Sequence, residues 1–183
     1  MTSPKVVVSR GEAGFTLIDM LFVIALIGLL STLAIPGLMR AKGAAQSASA
    51  IGSIKVINSA QLSFAITCGF GFYSPTLEKL GDIPPGSVEA FLAPEMSSGP
   101  TFVKSGYQFS LAGVAVPGAP GSCNGLAVGA ASAGYAIAAD PLDETPPARY
   151  LGSNADGVVY EHTESFMSAM PESGPPDAGS AIK

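Results

Sequence analysis

The chain has no tryptophan, one histidine and two cysteines in 183 residues. These shortages remove several kinds of chemistry. A lone His162 and the widely separated Cys68 and Cys123 cannot supply the clustered ligands of a zinc site. Charge is also sparse, at 13% against about 25% for an ordinary globular protein. Nine basic residues stand against 14 acidic ones, for a net charge of −5. With so few cations and no basic stripe, the chain is a poor nucleic-acid binder. It carries no Gly-x-Ser-x-Gly elbow, no EF-hand spacing and no tandem repeat. Gly69-x-Gly71 lacks the strand–helix setting of a phosphate loop.

Glycine and proline are plentiful instead, 22 and 15 residues, concentrated after Cys68. That composition predicts a loop-rich second half with short strands. The length suits one modest domain plus an anchor.

The dominant feature lies near the start. From Phe15 to Ile35 the chain is apolar except for Thr16, Asp19, Ser31 and Thr32. As a helix rising about 1.5 Å per residue, this run matches a bilayer core of about 30 Å. The run therefore reads as a transmembrane helix, with residues 1–14 as a short polar handle before it. A secretory signal peptide has a shorter apolar region, of about 7–15 residues, and a small-x-small site just after it. Here the nearest Ala-x-Ala, Ala48-Ser49-Ala50, lies far downstream. Asp19 sits only four residues into the run, where a carboxylate needs a partner and usually has a task. Pro36 closes the run and predicts a kink, since it cannot donate a backbone hydrogen bond. Lys5 and Arg10 before the run balance Arg40 and Lys42 after it, so charge alone does not orient the helix.

Gly14 followed by Phe15-Thr16-Leu17-Ile18-Asp19 and a long apolar helix resembles the N-terminus of type IV pilins and type II secretion pseudopilins. Gly28 and Pro36 also fall where that family tends to carry Gly and Pro. Asp19 stands where the family carries Glu, with the same charge on a side chain one methylene shorter. The resemblance covers about 25 residues. It implies that a prepilin peptidase cuts between Gly14 and Phe15 on the cytoplasmic side and methylates the new Phe15 amine. It implies a bacterial inner-membrane protein with its C-terminal domain in the periplasm. Subunits would then leave the lipid and stack their helices into a homo-oligomeric filament with related subunits, aided by an inner-membrane assembly platform. Asp19 would pair with the Phe15 amine of a neighbour and set the register of assembly. The rival reading from another class is a periplasmic binding module held at the membrane by an uncleaved helix.

Beyond Pro36 the helix is expected to resume, since residues 38–67 contain no proline and are rich in Ala. Ile51, Ile54, Leu62, Ala65 and Ile66 fall on one side at about 3.6 residues per turn. Ser47, Ser59 and Ser63 fall on the other. Gly69 and Gly71 end the helix. Residues 68–105 read as an irregular connector, with one helical turn over Thr76–Leu80 and a short helix capped by Ser87 and stopped by Pro94. Strand patterns follow at Tyr107–Ala112 and Tyr135–Ala139. Arg149–Leu151 and Val158–Tyr160 form a hairpin whose turn is Asp156-Gly157. The sheet domain is thus placed at residues 106–163 and a flexible tail at 164–183. The fold class is α+β: a long N-terminal helix, residues 15–67, packed on a small antiparallel sheet of three or four strands. The resemblance makes it pilin-like.

Two cysteines in an exported domain allow one disulfide, Cys68–Cys123, with two free thiols as the alternative. Asp140, Asp143 and Glu144 form an acidic loop. These three are the candidates for calcium, and solvated loop acids are the plainer reading. His162, with Glu161, Glu164 and Ser165, lies in one short segment, which does not converge a catalytic triad from separate elements. No enzyme activity and no other cofactor are expected.

Overall fold

A computed structural model describes residues 14–143 and 148–182. Most of the leader, residues 1–13, and the calcium candidate Glu144 lie outside the described residues. The chain divides in sequence between Gly43 and Ala44 into two compact units.

Helix α1, Leu17–Thr67, runs for 51 residues with Pro36 inside it. The helix does not stop at Pro36. In the first unit its apolar side chains are exposed, including Leu17, Ile18, Phe22, Leu30 and Leu33. This helix is long and apolar enough to span a membrane. Thr32 Oγ1 donates to the Leu29 carbonyl at 2.7 Å, which lets a hydroxyl sit in an apolar run without an unmet donor.

The second unit holds the remainder of α1, the short helices α2 (Leu77–Gly81) and α3 (Pro94–Ser97), and six strands. These are β1 Thr101–Lys104, β2 Tyr107–Ala112, β3 Ala136–Pro141, β4 Tyr150–Asn154, β5 Val159–His162 and β6 Ser180–Ala181. They form one antiparallel sheet in sequence order.

The core joins one stripe of α1 to one face of this sheet. Ala50, Ile54, Ile57 and Phe64 share a cluster with Phe102, Phe109, Leu111, Ile137, Ala139, Leu151 and Val159. Phe102 and Phe109, opposed in register, stack with ring centroids 4.6 Å apart. The buried stripe departs from the one expected. Leu62 and Ile66 are exposed, whereas Ser47, Ser53 and Gln61 are buried. Hydrogen bonds explain the exchange. Gln61 Nε2 donates to the Ser74 carbonyl at 2.7 Å, and Ser74 N donates back to Gln61 Oε1 at 2.9 Å. A buried amide satisfied on both sides carries little desolvation penalty. Ser47 Oγ lies 3.2 Å from the Tyr107 hydroxyl.

Three further expectations are corrected. Residues 87–92 form no helix. Ser87 Oγ accepts from Glu89 N at 3.2 Å in a local turn, and Pro94 opens α3 instead of stopping a helix. Proline at the first helical position sacrifices no bond, because that N–H has no partner in any helix. The connector ends early, because β1 lies inside it. Ser105 and Gly106, with φ of 52° and 80°, make a two-residue hairpin loop from β1 into β2.

The segment read as a flexible tail is packed. Phe166 and Met170 are buried with Ala138 on the sheet face opposite the main core. Asn154 Nδ2 donates to the carbonyls of Pro171 and Gly174 at 3.1 and 2.6 Å. Ala155 N donates to the Glu172 carbonyl at 3.1 Å. Prolines and small residues suggested disorder, but the two apolar anchors Phe166 and Met170 hold the segment down. Gly152 of β4 makes room for this packing. A Cβ there would lie 2.8 Å from the Phe166 ring. Gly152→Ala is therefore expected to lower the stability of this unit by about 1–3 kcal/mol, as overpacking does. Chemical denaturation of the full chain checks this, and an unchanged midpoint would show that the Phe166 ring yields freely.

Cys68 and Cys123 are disulfide-bonded, with Cα atoms 4.9 Å apart.

Candidate functional site

The first turn of α1 has a defined local chemistry. Gly14, Phe15 and Thr16 precede the helix and are exposed. Thr16 N donates to Asp19 Oδ2 at 3.1 Å, and Thr16 Oγ1 donates to the same oxygen at 2.6 Å. In return Asp19 N donates to Thr16 Oγ1 at 3.4 Å. This is a reciprocal capping box, in which residues three apart satisfy each other's orphan donors. A carboxylate in the first turn also complements the positive end of the helix dipole. Asp19 reaches Thr16 although it is shorter than the usual Glu. The box fixes the helix start two residues beyond the Gly14–Phe15 peptide, and so leaves that peptide outside the helix. The Thr-x-x-Asp spacing before an apolar run carried this signal in the sequence. The partner expected for Asp19 is the Phe15 amine of a neighbouring subunit; Thr16 is a second, local partner.

The arrangement has consequences for chemistry at Phe15. Asp19 Oδ2 already accepts from the backbone N–H of the residue next to Phe15. A free amine at Phe15 would stand one residue further out. Phe15 itself is 75% exposed, and no atom approaches the place where a Gly14 side chain would be.

The other candidates lie in the second unit and do not share a site with these. Ser165 Oγ donates to Asp140 Oδ2 at 2.5 Å, while His162 Nδ1 accepts from Glu164 N at 3.1 Å. Serine and histidine are thus engaged with different partners. Arg149, just before β4, pairs with Glu161 of β5. Asp140 and Asp143 remain as calcium candidates, and among the described residues no group of three or more His, Cys, Asp or Glu is placed to hold a metal ion. Burial raises the Tyr135 hydroxyl above its ordinary pKa; that hydroxyl donates to Asn58 Oδ1 at 3.1 Å. It belongs to the core.

No family model, curated protein or solved structure matches the chain.

Proposed function

We propose that this chain is a structural subunit of a type IV pilus-like filament or a type II secretion pseudopilus. The observation that carries the reading is the Thr16–Asp19 box, set between an open Gly14–Phe15 peptide and an exposed apolar helix. In this reading a prepilin peptidase cuts after Gly14 and methylates Phe15. The apolar half of α1 first sits in the inner membrane, with the second unit in the periplasm, where the Cys68–Cys123 bond is stable. An assembly platform then draws subunits out of the lipid, and α1 packs against the helices of other subunits. That step replaces lipid by protein around the same exposed side chains, so it needs no new apolar surface.

Asp19 acts twice. In the free subunit its carboxylate caps its own helix. In the filament the methylated Phe15 amine of a neighbour joins it, so that no charge is buried alone. The pairing permits only one axial offset between helices, which is how a buried polar contact sets register. The subunit carries out no reaction and needs no cofactor.

Mass spectrometry of the N-terminal peptide from the native host tests this. The expected peptide begins at Phe15 and carries one added methyl. An intact leader would overturn the reading and leave a membrane-anchored binding module in its place.

A further inference from the structure

Among the described residues, the outer edge of β5 is closed by β6. That strand contributes two register pairs, Tyr160–Ala181 and Glu161–Ser180, and Ile182 N extends the ladder by donating to the Val159 carbonyl at 2.8 Å. Ser180 and Ala181 stay exposed, and Ile182 is partly buried against the main core. The anchored part of the C-terminal segment ends at Gly174, bonded through Asn154 Nδ2 and Asp156 Oδ2. From there Pro175-Pro176-Asp177-Ala178-Gly179 leads to β6, with Gly179 at φ 110°. The strand is therefore a short, exposed piece at the end of a five-residue connector, whose Gly179 passes close to the Phe166 ring, where a Cβ would lie 2.9 Å away. A cavity of about 360 Å³ takes residues of both strands into its lining, Glu161 and His162 from β5 and Ser180 from β6, together with Arg149 just before β4.

We propose that the β5 edge is a strand-acceptor site, and that in the assembled state it takes residues 179–182 of a second copy of this chain. The occupant follows from the structure, because this segment already fits the edge in a defined register. Exchange between identical copies reproduces every contact, so it requires no new complementarity. Backbone pairing supplies the attachment, and Ile182 supplies the side-chain anchor. The proposal rests on the filament reading, which brings many copies together.

The register supplies the test. Ile182 and Val159 are joined by a backbone bond, so Tyr160 and Ala181 form the next, non-bonded pair, with Cα atoms about 4.5 Å apart. That separation lies within disulfide range. Full-length Tyr160→Cys and Ala181→Cys variants are produced together in one host and run on non-reducing gels. The expected result is a shift of the mixed sample from monomer to a reducible dimer containing both variants. Neither variant alone should give it. The double variant Tyr160→Cys/Ala181→Cys reports folding, through an intrachain or interchain bond at the same pair. A bond in the double variant without mixed dimer overturns the exchange. Failure of both overturns it as well, since β5–β6 pairing is then wrong. Glu161→Cys with Ser180→Cys repeats the test without touching Tyr160. Leader cleavage is read on the same samples. Mixed dimers of uncleaved chains would remove the filament reading and keep the exchange, and cleaved, assembled chains without mixed dimer would do the reverse.

Discussion

Asp19→Ala is expected to abolish filament assembly while leaving the second unit folded. The change removes the observed cap and the proposed pairing together. Loss of the capping box weakens the helix start by about 1 kcal/mol, because Asp19 Oδ2 no longer accepts from Thr16 N and Oγ1. In the proposed filament, loss of the charge would leave a buried Phe15 amine unpaired, at about 3–5 kcal/mol per subunit. The second term decides, since at about 1.4 kcal/mol per factor of ten it weakens each contact more than a hundredfold. Asp19→Asn separates the terms. Its side-chain carbonyl still accepts from Thr16, so the helix start survives, but the charge is gone. Electron microscopy should find no filaments from either variant. Normal filaments from Asp19→Asn would eliminate the charge pairing and leave Asp19 as a helix cap alone. Asp19→Glu should assemble, since the charge is kept and the side chain is longer.

The parts of this fold that were legible in the sequence are those written in local pattern. The apolar run of α1 declares itself by length. The alternation in Tyr107–Ala112 gives β2, and Asp156-Gly157 marks the turn between β4 and β5, where Gly157 adopts φ 73°. What escaped is set by distant partners. The buried face of α1 includes Ser47 and Gln61 because Tyr107 and Ser74 satisfy them, and hydrophobicity alone selected Leu62 and Ile66. The strand β1 is too short to announce itself without the hairpin partner β2. The C-terminal segment looked disordered because its order comes from Phe166 filling the space above Gly152. The candidate site divides the same way. The Gly14–Phe15 junction and Asp19 stand out by position, whereas the Thr16–Asp19 bond is written only as the short Thr-x-x-Asp spacing, which the apolar run overshadows.

Replacing both Cys68 and Cys123 with alanine is expected to cost the second unit about 4 kcal/mol, from the sequence separation of 55 residues. The argument concerns the unfolded chain. The bridge ties the end of α1 to the long loop between β2 and β3. Other bonds also hold that loop in the folded state. Asn124 Nδ2 donates to the Lys79 carbonyl at 2.7 Å. Tyr73 N donates to the Ser132 carbonyl at 2.8 Å, and Ser132 N returns a bond to Tyr73 at 3.1 Å. These disappear on unfolding and leave the entropy of the open chain untouched, whereas the disulfide persists and restricts it. They therefore cannot substitute for it, and Asn124→Ala should cost only about 1 kcal/mol, the net worth of an ordinary hydrogen bond. All five tyrosines lie in the second unit, so tyrosine fluorescence during urea unfolding follows this unit without interference from the apolar half of α1. A loss under about 1 kcal/mol for the double variant would mean that the unfolded chain is already compact around this loop, and the entropic account of the bridge would then fail.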